Sequence, residues 1–63
     1  MRFRIARLVP LGRPDHHFRK TKAEAFELAR SFISSRVLVY EAGRLIAQKH
    51  PGRERLEHMG GIA

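Results

Sequence analysis

The sequence predicts a small two-layer α+β domain: three or four β-strands with one α-helix packed on one face, in the order β(β)αββ. Three observations carry this reading. Residues 2–9 alternate in side-chain character as a half-buried strand does. Residues 21–33 hold a capping box followed by an apolar stripe at helical spacing. Val37-Leu38-Val39-Tyr40 is rich in β-branched and aromatic side chains, and Gly43 separates it from a second such run at residues 44–49.

Along the first strand, Phe3, Ile5, Arg7 and Val9 share one face, and Arg2, Arg4, Ala6 and Leu8 the other. Pro10, Gly12 and Pro14 end it, because proline cannot donate to a ladder and glycine favours turns. Residues 15–19 read either as a second strand closing a hairpin or as an extended lead into the helix. Phe18 is expected beneath the helix start in both cases. In the helix, Thr21 and Glu24 have capping-box spacing, the hydroxyl meeting a free N–H and the carboxylate reaching back to the N–H of Thr21. Ala25, Phe26, Leu28, Ala29, Phe32 and Ile33 line one side, with Glu24, Glu27, Arg30, Ser31 and Ser34 opposite. Ser34-Ser35-Arg36 makes the turn into the next strand. Glu41-Ala42-Gly43 reads as a tight loop, Gly43 taking a positive φ in a type I turn with a bulge. Pro51-Gly52 stops the last strand. Residues 1–52 are thus expected as one domain, and 53–63 as a flexible or loosely docked tail, with a helical turn across Arg53–Met59 as the docked form. Were the first strand and the strand after the helix parallel, the crossover between them through the helix would be right-handed.

With 63 residues and no cysteine, the chain cannot use disulfides or thiolate metal sites to supplement a small core. Close packing or association must supply the stability. Thirteen Lys and Arg stand against six Asp and Glu, a net of +7. Within residues 1–20, Arg2, Arg4, Arg7, Arg13, Arg19 and Lys20 face Asp15 alone. Such a local excess favours an anionic partner. No apolar run is long enough to span a bilayer, and Arg interrupts the apolar residues of the N-terminus as it would not in a secretion signal, so a cytoplasmic setting is expected.

If Phe3, Ile5, Val37, Val39 and Leu45 face the helix, then Ala6, Leu8, Leu38, Tyr40 and Ile46 face away. A sheet face turned to solvent is normally polar. This one is apolar at its centre with Arg2, Arg4 and Arg44 at its margin, the composition of an association surface. Leu8, Leu38, Tyr40 and Ile46 are therefore the candidate interface residues, and a homodimer is expected.

Phe18-Arg-Lys-Thr-Lys-Ala-Glu-Ala, followed by a helix and Val-Leu-Val-Tyr-Glu-Ala-Gly-Arg-Leu-Ile, resembles a small uncharacterised family of bacterial and phage proteins. Its members carry an F-x-T-K-x-E-A helix start and a V-V-x-x-x-x-G-R-I hairpin. The likeness covers residues 18–46, and the Arg-rich first strand here replaces an aromatic-rich one. It implies an α+β fold and a bacterial or phage setting, with no assigned activity.

Catalytic constellations are lacking in the sequence. His16 and His17 are adjacent and so point opposite ways on a strand, and no H-x-x-x-H spacing occurs. Glu24 is used in capping, and Glu54 and Glu57 sit among Arg53 and Arg55. No phosphate-cradling glycine motif is present. Neither an enzyme, a metal site, a cofactor nor a small-molecule substrate is expected. The first expectation is a small basic DNA- or other nucleic-acid-binding protein that uses Arg2, Arg4, Arg7, Arg13, Arg19, Lys20 and Arg44. About six phosphate contacts give a slope of log K on log salt near −5 on B-DNA. The alternative is a phage-type or bacterial adaptor or inhibitor. It would bind an acidic or nucleic-acid-associated host protein through the apolar, Arg-rimmed outer face. A membrane-surface role is disfavoured by the near-neutral polar side of the helix.

Overall fold

The computed structural model describes residues 2–59. Its elements are β1 (Phe3–Leu8), β2 (Asp15–Arg19), α1 (Lys22–Ser31), β3 (Arg36–Glu41), β4 (Arg44–Lys49) and β5 (Glu57–His58). The strands form a single antiparallel sheet of five in the order β2-β1-β3-β4-β5, one strand more than the longest expectation. β1 and β3 are antiparallel neighbours, so the condition for the anticipated crossover is not met. The helix instead joins β2 to β3, which run parallel to each other on either side of β1.

Thr21 starts α1 with an extended backbone, and its Oγ1 accepts from Glu24 N at 3.2 Å. The Glu24 carboxylate accepts from the Thr21 hydroxyl at 3.1 Å rather than from the Thr21 N–H. Phe32 closes the helix by donating its N–H to Ala29 at 3.3 Å. Ala25 and Ala29 are fully buried; their small side chains let the helix lie close to the sheet, with Phe26, Leu28 and Phe32 flanking them. Ile33 falls past the helix end, off the stripe, and is exposed. Phe3, Ile5, Val37, Val39 and Ala47 complete the core from the sheet, with Leu56 added from the segment between β4 and β5. Burying each of Ile5, Val37 and Val39 contributes about 1.5–3 kcal/mol.

Lys49 is also fully buried, on the helix side of β4 opposite Val37. Its Nζ donates to the carbonyls of Ile33 and Ser35 at 3.3 Å each and of His50 at 3.4 Å. Ile33 O also accepts from Gly52 N at 2.8 Å and His50 O from Arg53 N at 3.2 Å, so the ammonium is a second donor to these two carbonyls and the partner of Ser35 O in the turn after the helix.

Two details of β3 and β4 depart from the alternating pattern. Ala47 lies opposite Val39 and Leu45 opposite Tyr40, which leaves Ile46 as the extra residue of a bulge. The bulge turns Ile46 against the core and sets Leu45 beside Tyr40, so their expected faces are exchanged. The hairpin between the strands is a two-residue loop with both φ values positive, 52° at Ala42 and 82° at Gly43. That is the type I′ class rather than a type I turn with a bulge, and its twist matches that of the strands.

After β4 the chain reverses at Gly52, buries Leu56 and forms β5 along the edge of β4. Met59 N donates to Ile46 O at 2.8 Å, and His58 meets the ring of Phe26 edge-on at 5.2 Å. A short edge strand therefore stands within the segment expected as a flexible or loosely docked tail, in place of the helical turn across Arg53–Met59 given as its docked form. The last part of the expected tail, residues 60–63, lies outside the described residues. Among the described residues, no element crosses the sheet face opposite α1.

Candidate nucleic-acid interface

The register determines what the uncovered face presents, because antiparallel partners share a side. One row runs Phe18 on β2, Arg4 on β1, Tyr40 on β3 and Leu45 on β4. The next runs His16, Ala6, Leu38, Gln48 and Glu57. A third holds Leu8 and Arg36.

The first row is aromatic and cationic. The Arg4 guanidinium lies over the Tyr40 ring at 4.4 Å from its centroid. Phe18, on the other side of Arg4, is 48% exposed, so it stands on the outer face and not beneath the helix start. Its position follows from the register of β2 on β1. In the second row Ala6 is buried by its larger neighbours despite facing outward. Leu8, Leu38 and Tyr40 are half-buried. The β4–β5 edge is a polar chain: Arg36 Nη2 donates to Gln48 Oε1 at 3.3 Å, and Gln48 Nε2 to Glu57 Oε1 at 3.2 Å. His50 Nε2 also lies 3.4 Å from Glu57 Oε1.

The seven cations singled out from the sequence do not form one patch. Arg4 alone projects from the outer face within a strand. Arg2 precedes β1, Lys20 follows β2 and Arg44 opens β4, so these three gather at one end of the sheet; Arg2 and Lys20 flank the Phe18–Arg4–Tyr40 row, while Arg44, opposite Glu41 in the Phe3 row, stands at the helix-side border of that end. Arg2 Nε is bonded to Glu41 Oε2 at 2.6 Å, with 65% of the Arg2 side chain still exposed. Arg2, Glu41, Ala42, Arg44, Ile46 and Met59 line an open cleft of about 550 Å³ at this end. Arg13 lies in the β1–β2 connection at the opposite end.

Arg7 and Arg19 belong to the helix side. The Arg7 guanidinium is paired with Asp15 and lies over the Phe32 ring at 4.8 Å. Arg7 is therefore an internal tie between β1, β2 and the helix end, not a free cation. Arg19 Nη1 donates to Phe18 O at 2.7 Å and borders a shallow groove with Glu24 and Glu27. Of the four candidate interface residues, Leu8, Leu38 and Tyr40 lie on the outer face, while Ile46 packs inward through the bulge.

Sequence reasoning missed Phe18 as an outward ring and Arg36 as an outward cation. Phe18 follows from the register of β2 on β1, which no local pattern in residues 10–14 sets, and Arg36 from the extension of β3 to pair with Leu8, where a turn is expected from the sequence. Among the described residues, no group of three or more His, Asp or Glu side chains is placed to hold a metal ion. No helix of the described residues is long and apolar enough to cross a membrane. Comparison with family models, with curated proteins and with solved structures yields no match.

Proposed function

We propose that this chain is a non-enzymatic nucleic-acid-binding protein whose binding surface is the uncovered sheet face. The observation that carries the reading is the Phe18–Arg4–Tyr40 row, open to solvent beside a rim of Arg2, Lys20 and Arg44. A net charge of +7 draws a polyanion to the molecule, arginine forks suit phosphate oxygens, and aromatic rings suit bases. Because Arg7 is committed internally, Arg19 faces the helix side and Arg13 lies at the far end, Arg2, Arg4, Lys20 and Arg44 remain, and about four phosphate contacts replace the six counted from sequence. The slope of log K on log salt is then near −3 on a single strand. Fluorescence anisotropy of a labelled oligonucleotide across a salt series tests this; a flat dependence, or no binding at low salt, overturns it.

The second reading, an adaptor for an acidic host protein or a second copy of this chain, rests on the half-buried Leu8 and Leu38 in the middle of the same face. Leu38→Asp separates the readings. It abolishes a protein complex or homodimer, measured by light scattering after nuclease treatment, yet leaves nucleic-acid binding through the neighbouring row largely intact. Proximity to nucleic acid or to its processing machinery in the cytoplasm fits either reading.

A further inference from the structure

We infer that the ligand of this face is single-stranded, uridine-rich RNA, with one base stacked on Phe18 and another on Tyr40. The inference rests on the nucleic-acid reading above and narrows it.

Geometry excludes a duplex from the two rings. Bases in a duplex present their edges in the grooves and keep their faces stacked against one another. Rings standing on a sheet reach only the faces of unpaired bases. Phe18 and Tyr40 sit on β2 and β3, with β1 between them. Two strand spacings separate them by roughly 9.5 Å. Stacked bases rise only about 3.4 Å per step. A strand that places neighbouring bases on the two rings must therefore have those bases pulled apart, which is cheapest for uridine runs, the least self-stacked of the homopolymers. Adenine runs resist for the same reason.

Arg4 acts as a movable clip. In the free protein its guanidinium covers the Tyr40 ring at 4.4 Å. A cation on an exposed ring face is held more weakly than a stacked base. The incoming base takes the ring, and Arg4 turns to the adjoining phosphate, its charge satisfied throughout. His16, two residues from Phe18 on the same strand face, is exposed beside this path. Its imidazole both donates and accepts, as does a ribose 2′-hydroxyl, which favours RNA over DNA.

Anisotropy titrations with dodecamers of uridine, adenosine and deoxythymidine, and with a duplex of equal length, test the inference. The expected order is uridine tightest, then deoxythymidine, with adenosine and duplex weakest. Phe18→Leu and Tyr40→Leu each weaken uridine binding about 5- to 150-fold, the loss of one base–ring stack. Tyr40→Phe keeps the ring and the affinity. Unchanged circular dichroism shows that each variant is folded. Equal binding of duplex and single strands, or unchanged uridine affinity in both leucine variants, overturns the stacking assignment and leaves binding to phosphates alone. Deoxythymidine binding as tightly as uridine overturns the choice of RNA. Absence of binding by every oligonucleotide at low salt removes the nucleic-acid reading itself.

Discussion

The Nζ of Lys49 lies 3.3 Å from the carbonyl oxygen of Ile33, sixteen positions earlier in the chain. The bond ties the turn after the helix to the inner face of β4. With Ser35 and His50 it gives one buried ammonium three carbonyl partners. Lys49→Met keeps most of the volume and removes every donor. Ile33 O keeps Gly52 N and His50 O keeps Arg53 N, so the main loss is at Ser35 O, where a carbonyl without its partner costs about 1–3 kcal/mol, less where water reaches it. A loss of about 1–3 kcal/mol is expected in urea unfolding, a large part of the margin of a domain this small. A loss below about 1 kcal/mol would show that the turn re-solvates without Lys49.

The β3–β4 hairpin offers a gain. Ala42 holds a φ of 52°, where an L-residue with a Cβ is strained by about 1–2 kcal/mol. Asparagine tolerates that region. Ala42→Asn is expected to raise stability by about 0.5–1 kcal/mol in urea unfolding. Gly43→Ala is its counterpart. A Cβ at Gly43 meets nothing within 4 Å, so any cost there is backbone strain at a φ of 82° and not a clash. A loss of about 1 kcal/mol is expected. If neither variant moves the urea midpoint, the loop is not type I′ in solution.

Those two turn residues mark the boundary of what could be read from the chain. The helix was legible because Thr21, Glu24 and the Ala25–Ala29 stripe are local signals of one period. β3 and β4 were legible because Val37–Tyr40 and the glycine after it are local too. Phe18 was not: its side of the sheet depends on the register of β2 against β1, and a slip of one residue reverses every side chain. Ile46 was misplaced for a related reason, since a bulge shifts the alternation by one and nothing in Arg44–Lys49 announces it. Lys49 contradicts composition rules that place lysine outside, and only the three-dimensional position of the 33–35 carbonyls accounts for it. β5 is two residues long, too short to leave a pattern. Among the arginines, closeness in sequence suggested one patch, although the alternation legible in β1 already sends Arg4 and Arg7 to opposite faces, as the structure has them.

Ala29 tests the closeness of the two layers. It is fully buried between α1 and the sheet. Leucine has nearly the same helix propensity as alanine, so Ala29→Leu changes packing and little else. Forcing the extra methylenes into that contact is expected to cost about 1–3 kcal/mol in urea unfolding. Ala23→Leu, at an exposed helix position, is the control and is expected to leave stability within about 0.5 kcal/mol. Equal effects at both positions would mean that the helix does not approach the sheet through Ala29.

Arg4 and Arg7, three residues apart on one strand, have opposite duties, and a pair of substitutions separates them. Arg7 is paired with Asp15 and covers Phe32, so Arg7→Gln removes an internal tie. The pair is more than a third exposed, which limits its worth; together with the ring contact, a loss of about 1 kcal/mol is expected in urea unfolding. Its guanidinium faces the helix side, so the salt slope of oligonucleotide binding is expected to stay unchanged. Arg4→Gln reverses the pattern. Its guanidinium lies over the outward Tyr40 ring, which holds it by about 0.5–1 kcal/mol at an exposed site, so stability shifts little. Loss of one phosphate partner lowers the magnitude of the single-strand salt slope by about 0.7. Measuring urea midpoints and salt slopes on both variants gives a two-by-two outcome. A salt slope lowered by Arg7→Gln and left intact by Arg4→Gln would place the nucleic acid on the helix side of the sheet, against the surface proposed for it.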